Sequence, residues 1–178
     1  PVNPGDRADN HVKAICKGQS GVLWVGTGGG GLSRFDLQKK SFTTHYRYDA
    51  GGPGRPGSNK VQAILLDGKS KTLWIGTDGG GLNQFHPGTG TFLHYEEDPA
   101  IPTSLSNNTV YSIYEDDAGI IWVGTEGGLK KLDKRKSEFR HWAVEPGKEN
   151  GLDYNYVWAI LEDKAGMLWI GTNKGLNK

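Results

Sequence analysis

Four groups of residues in this 178-residue chain have types and spacings that could do chemistry. Gly26-Thr27-Gly28-Gly29-Gly30-Gly31 satisfies G-x-G-x-x-G, which cradles a phosphate when a strand precedes it and a helix follows. His45, His94 and His141 carry the imidazoles that zinc favours. Asp67, Asp116 and Asp163, with the separate run Glu96-Glu97-Asp98, supply carboxylates. A carboxylate pair roughly 5–10 Å apart in a cleft would suit glycoside hydrolysis. The fourth group is Asn10, Asn59, Asn108 and Asn155, each two residues ahead of a Val. The residues that follow these Asn are His11, Lys60, Thr109 and Tyr156, and two positions further on stand Lys13, Gln62, Tyr111 and Trp158.

The elements that must position them repeat. Leu-Trp-Val-Gly-Thr at 23–27 returns, with Ile for Leu or Val, at 73–77, 121–125 and 168–172, with its Trp at 24, 74, 122 and 169, in steps of 50, 48 and 47 residues. Such a period means one supersecondary unit stacked on copies of itself. Each copy offers four strand-like pieces: Val12–Cys16, Val61–Leu66, Val110–Glu115 and Val157–Glu162 first, then the Trp segment. Leu32–Phe35, Leu82–Phe85, Leu129–Leu132 and a start at Leu176 follow a Gly-rich turn, and Phe42–Tyr46, Phe92–Tyr95 and Phe139–Trp142 come last. Short β-branched and aromatic pieces bounded by Gly, Asp and Asn read as strands, and no window shows a capped helical period. The expected fold is all-β: a β-propeller of four-stranded antiparallel blades, about four present, the last incomplete. The expected spans are an N-terminal extension at 1–9, blades at 10–50, 51–100 and 101–146, and a partial blade at 147–178.

This register decides most of the chemistry. The glycine pattern leads into Leu32-Ser33-Arg34-Phe35, a strand and not a helix, and related turns recur in every copy, so it reads as a hairpin turn. The three histidines hold matching places in successive outer strands, spread around a rim, and no metal or other cofactor is expected. The aspartates end first strands just before turns, where they staple backbone amides; Gly18 stands at that place in the first copy. The repeated Trp should fill the gap between neighbouring blades, both of whose faces are expected to be buried.

The positions that vary between copies are the better pointer to binding. First strands line a propeller's axis, so Asn10, Asn59, Asn108 and Asn155 should ring one mouth of the channel, capping the entry loops or offering amides to a ligand. His11, Lys13, Lys60, Gln62, Thr109, Tyr111, Tyr156 and Trp158 flank the same mouth, mixing aromatic with hydrogen-bonding groups as sugars require. The loops 50–59 and 97–107 border it. A scaffold position should repeat; these do not.

Bulk composition sets the remaining bounds. With 21 basic and 20 acidic residues the net charge is +1, which gives no field for nucleic acid. Cys16 is the only cysteine, so no internal disulfide framework exists. No apolar run approaches the roughly 18 residues of a membrane span, and no membrane insertion by this segment is expected.

Asp116–Leu129 (Asp-Asp-Ala-Gly-Ile-Ile-Trp-Val-Gly-Thr-Glu-Gly-Gly-Leu) and Leu73–Phe85 resemble the two-component regulator propeller repeat, and Ser104–Val110 is similar to its usual entry to a blade. The resemblance runs from about Asn10 to the C-terminus. It implies the sensor part of a bacterial histidine kinase, often a hybrid one, in the periplasm or outside the cell, with a possible oligosaccharide ligand. On that footing the chain is a non-catalytic sensing or interaction propeller. A propeller lyase or glycoside hydrolase, or a lectin-like carbohydrate-binding module, is the alternative. Family sensors carry more repeats, and nothing in Pro1–Asp9 resembles the missing last strand. A compact four-bladed ring, an arc completed by self-association and a piece of a larger ring all remain open. The last is favoured, with its partners the remaining blades of a parent protein.

Overall fold

The structure, a computed structural model, describes residues 11–48, 56–134, 137–145 and 151–178. These residues form four antiparallel sheets whose strands lie in sequence order. The first holds β1 (Val12–Lys17), β2 (Val22–Thr27), β3 (Leu32–Asp36) and β4 (Ser41–Tyr46); the second holds β5 (Val61–Leu66), β6 (Leu73–Thr77), β7 (Leu82–His86) and β8 (Thr91–Tyr95). The third holds β9 (Val110–Glu115), β10 (Ile121–Thr125), β11 (Gly128–Asp133) and β12 (Glu138–Trp142), and the fourth β13 (Val157–Glu162), β14 (Leu168–Thr172) and β15 (Gly175–Asn177). First strands pack on first strands, β1 on β5, β5 on β9 and β9 on β13, so they form the inner wall of an arc of blades. The fold is an all-β propeller architecture with a three-stranded last blade.

Turn chemistry shapes each blade. Asp116 accepts from the Ile120 amide at 2.8 Å and from the Trp122 indole at 2.8 Å. Asp163 repeats this with Ala165, Met167 and the Trp169 indole. These bonds hold the Asp163 carboxyl below its usual range, the indole contributing most. At the next turn the threonine that ends each second strand closes the hairpin: Thr77 Oγ1 donates to Gly81 O at 2.9 Å and Thr125 Oγ1 to Gly128 O at 2.8 Å. Gly81 needs its φ of +63° there, and a Cβ on it would meet Tyr95 O at 2.2 Å. The glycine-rich run 26–31 is this same turn between β2 and β3. The imidazoles fasten neighbouring elements of their own blades: His45 Nδ1 lies 2.7 Å from Ser33 Oγ, His94 Nδ1 2.8 Å from Asn83 Oδ1, and His141 Nε2 2.8 Å from Gly127 O.

The core lies between blades. Trp24 is buried edge-on against Phe85 of the next blade, at 5.5 Å between ring centroids, and Trp74 is buried beside Leu132 and Phe139 of the blade after. The expectation that both faces of every blade are buried fails at the two ends of the arc. Val12 and Ile15 of β1, and Leu161 and Leu176 of the last blade, are exposed there among the described residues.

A candidate ligand site at the inner-strand mouth

The variable residues owe their position to a register fault. In β1 the partners along β2 run from Val12↔Thr27 to Ala14↔Gly26, so one extra residue is bulged out of the pairing. The same shift occurs between Val61 and Ala63, between Val110 and Ser112, and between Val157 and Ala159. The bulged residues are Lys13, Gln62, Tyr111 and Trp158. A bulge frees a side chain from the pleat and re-aims it, which is why bulges gather beside sites.

The last two blades bring three of the predicted residues together. Tyr111 and Trp158 lie with ring centroids 4.1 Å apart at 32°, and Tyr156 stands edge-on to Tyr111 at 6.4 Å. Tyr154 extends the cluster, 5.3 Å from Tyr156. A pocket of about 400 Å³ opens beside it, lined by Glu126, Val144, Asp153, Tyr154, Asn155, Tyr156 and Lys174. The Glu126 carboxylate beside the Tyr156 hydroxyl pushes the phenol pKa up. Burial, reinforced by Glu126 and Asp78, pushes the Tyr111 phenol up as well. Lys174 Nζ sits 5.6 Å from the Tyr154 ring centroid. Aromatic faces, a carboxylate and an ammonium therefore line one wall.

The other predicted residues are placed differently. Lys60 is exposed and pairs with Asp78 at 3.1 Å. Thr109 enters through its carbonyl, which accepts from the Glu126 amide at 3.1 Å. His11 and Lys13 are exposed on the first blade, and Gln62 is half-buried on the second. Asn59, Asn108 and Asn155 have their side chains engaged by the chain leaving the previous outer strand. Their Oδ1 atoms accept from the amides of Tyr48, Glu97 and Val144 at 2.8, 2.7 and 2.7 Å. Asn59 also donates through Nδ2 to Tyr48 O at 3.3 Å. Asn10 lies outside the described residues, as do the extension 1–9 and most of the loop 50–59. The loop 97–107 is fastened along the third blade, with the Phe139 amide donating to Thr103 O and Leu105 in the core.

Several mouth residues had no prominence in the sequence. Gly28, Asp78, Glu126 and Asn173 all follow the Gly-Thr of a second strand and differ in every copy. Glu126, Asp78 and Asn173 touch Tyr156, Lys60 and Trp158 in turn, the last through the Trp158 indole N–H. The variation that singles out Tyr156 and Trp158 also marks this position. Tyr154, Asp153 and Lys174 carry no comparable signal. Asp153 is fixed by Thr172 and Asn177, whose hydrogen bonds lower its pKa.

Three stretches of the sequence, residues 6–29, 104–127 and 151–174, match the family model of the two component regulator propeller. Each contains the Gly-Thr strand end and the bulged first strand that build the mouth. Three of the four blades thus carry a stretch that matches this repeat. Among solved structures it is similar to the extracellular domain ascribed to the hybrid two component system BT3049 of B. thetaiotaomicron, with 28% identity over 95% of this chain and a TM-score of 0.82. The extracellular domain ascribed to BT4673 of the same organism gives 28% identity over 94% of the chain and a TM-score of 0.76. The chain spans 23% of the length of each. Virginiamycin B lyase from Staphylococcus aureus shares the fold, at 16% identity over 94% of this chain and 52% of that one, with a TM-score of 0.65. No curated protein matches the sequence.

Proposed function

We propose that this two component regulator propeller segment is the sensing part of a two component system, lies outside the cytoplasm, and binds its ligand at the mouth between the last two blades. The observation that carries this reading is the Tyr111–Tyr156–Trp158 cluster beside Glu126 and Lys174, built from bulged and copy-specific positions on an otherwise repeating scaffold. Aromatic faces next to a carboxylate and an ammonium suit an oligosaccharide, which offers apolar ring faces and hydroxyls together. The likeness to extracellular domains of hybrid systems supports both the location and the sensory role. The segment itself does no catalysis. It acts by preferring one of two arrangements of the parent protein, and a ligand shifts that balance only through its different affinity for the two.

The test is calorimetric titration of oligosaccharides into the chain and into Trp158→Ala and Tyr156→Ala. Binding by the wild type, weakened about tenfold or more in each variant with the unfolding midpoint retained, supports the site. Equal binding by all three would move the ligand elsewhere. Turnover of the oligosaccharide during titration would overturn the non-catalytic reading.

A further inference from the structure

The mouth between the last two blades has a sign of charge as well as a shape. Its aromatic rings are not laid out as one flat platform. Tyr111 and Trp158 lie at 32°, but Tyr156 stands at 87° to Tyr111, and Tyr154 at 64° to Tyr156. Rings crossed in this way turn their π faces in more than one direction. Each face is the negative pole of the ring's quadrupole, and an ammonium group is drawn to it. One ammonium is already there. Lys174 Nζ lies over the Tyr154 ring, 5.6 Å from its centroid, on an exposed and flexible side chain.

Carboxylates outnumber cations beside these rings. The pocket is lined by Glu126 and Asp153 against Lys174 alone. Asp153 is engaged within its own blade, where Thr172 and Asn177 donate to its Oδ1 at 2.6 and 2.7 Å and Lys174 acts on its charge. Glu126 is different: it is half-buried, and among the described residues it forms no salt bridge. Its carboxylate lies beside the Tyr156 hydroxyl and its field reaches Tyr111 as well. The other charge acting on Tyr111 is Asp78, again a carboxylate, which Lys60 pairs at 3.1 Å. Glu126 is therefore the charge of this wall that has no counter-ion.

We propose that the mouth recognises an amino sugar, whose ammonium sits against the Tyr156 and Trp158 rings with Glu126 as its counter-ion. This inference rests on the oligosaccharide reading of the site and adds the charge that the ligand carries. A neutral sugar would leave Glu126 unpaired on a wall that binding dries, and an acidic sugar would bring a like charge against it. An ammonium satisfies the π faces and the carboxylate together. Lys174 then acts as a competitor, since its own ammonium holds one ring face and repels a second cation.

The experiment is calorimetric titration at about pH 6, where the amine is protonated and Glu126 ionised. The titrants are the chitosan disaccharide with free amines, its N-acetylated form and cellobiose, which share one backbone and differ at C2, with glucuronic acid and choline as further probes. The amine disaccharide is expected to bind about 10-fold more tightly than the other two. Glu126→Gln should cut that preference to about threefold or less, and Lys174→Gln should raise affinity for the amine form about two- to fivefold. Unfolding midpoints check that both variants keep the fold. Equal binding of all three disaccharides would overturn the charge preference and leave the sugar site standing. An amine preference that Glu126→Gln leaves intact would overturn the assignment of the counter-ion. Tightest binding of glucuronic acid, weakened in Lys174→Gln, would overturn it by making Lys174 the partner of an acidic ligand. Choline bound as tightly as the amine disaccharide would overturn the sugar as carrier of the charge. Binding of none of these probes would overturn the inference and the oligosaccharide reading together.

Discussion

Lys134 Nζ lies 2.7 Å from Asp67 Oδ2, and this bond between the third blade and the second takes the carboxylate oxygen that elsewhere receives the blade's own Trp indole. Trp74 Nε1 is consequently buried with no hydrogen-bond partner. Spacing is the cause. Asp116 and Asp163 precede their Trp by six residues, whereas Asp67 precedes Trp74 by seven, the extra residue lying in the turn 68–72. The lengthened turn lets Asp67 reach Lys134, which also touches Glu115 at 3.3 Å. One blade thus exchanges an internal staple for a tie to its neighbour.

That exchange predicts a pH-dependent contribution to stability. Burial works against the Asp67 carboxylate, but the Lys134 hydrogen bond and the Ser70 and Lys69 amides outweigh it and hold its pKa well below the usual range. Lys134 is pushed upward by the same pairing, against the opposing effect of its own burial. A depressed acid stabilises the fold above its unfolded pKa of about 3.9 and loses that contribution as pH falls through the folded value. A raised base contributes below its unfolded value of about 10.4 and loses it as pH climbs past the folded one. The pair therefore works from about pH 4 to about pH 10. Lys134→Met, which leaves Asp67 buried with only its turn amides, should cost about 1–3 kcal/mol at pH 7. Urea unfolding at pH 7 and pH 3 checks this, and the gap between variant and wild type should narrow at the lower pH. An equal gap at both would show that lost packing, not charge, is being measured.

A second prediction concerns the glycines inside the second strands. Gly124→Ala places a methyl 2.2 Å from Ser112 Oγ and 2.6 Å from Val157 Cγ1, with the Val157 carbonyl at 2.7 Å. The hydroxyl can rotate away, but the backbone of the next blade cannot follow without opening the interface. Overpacking of this kind should cost about 1–3 kcal/mol. A thermal unfolding midpoint unchanged from wild type would show that the blades slide freely on one another.

These glycines mark where reading the sequence fell short. Strand count, strand order and the Asp turn staples are legible because their residues recur at one period, and recurrence exposes scaffold. Gly26, Gly76 and Gly124 recur too, but a Gly before Thr and a glycine-rich run reads as turn chemistry, while its partner is a valine about 35 residues further on. The bulge is hidden for a different reason. It is a fault in pairing between two strands, and neither strand alone records it. Lys13, Gln62, Tyr111 and Trp158 stand out by variation, yet only the register shift explains why they leave the pleat.

A third prediction concerns Asp116, which accepts both the Ile120 amide and the Trp122 indole. Asp116→Ala removes both acceptors from one turn and should cost about 1–2 kcal/mol. Trp122 is only half-buried, so its freed indole can find water and the upper end of the buried range is not reached. Tryptophan emission followed through urea unfolding would report the loss as a lowered midpoint with unchanged slope.

The last prediction separates scaffold from site at the channel mouth. Asn108 Oδ1 receives the Glu97 amide at 2.7 Å, and the bond ties the exit of β8 to the entry of β9. Asn155 does the same for Val144, and Asn59 for Tyr48. Asn108→Ala should therefore lower stability by about 0.5–1.5 kcal/mol, the usual worth of such a bond. Tyr156 stands two residues before the bulge, beside Glu126 at the edge of the pocket and outside the buried clusters between blades. Tyr156→Phe should leave the unfolding midpoint within about 0.5 kcal/mol of wild type while removing the hydroxyl from the pocket wall. Paired denaturation and oligosaccharide-binding curves for the two variants give the contrast. A stability loss confined to Asn108→Ala and an affinity loss larger in Tyr156→Phe mark the Asn ring as fastening and the Tyr as contact. The reverse pattern would return the Asn amides to the list of ligand groups.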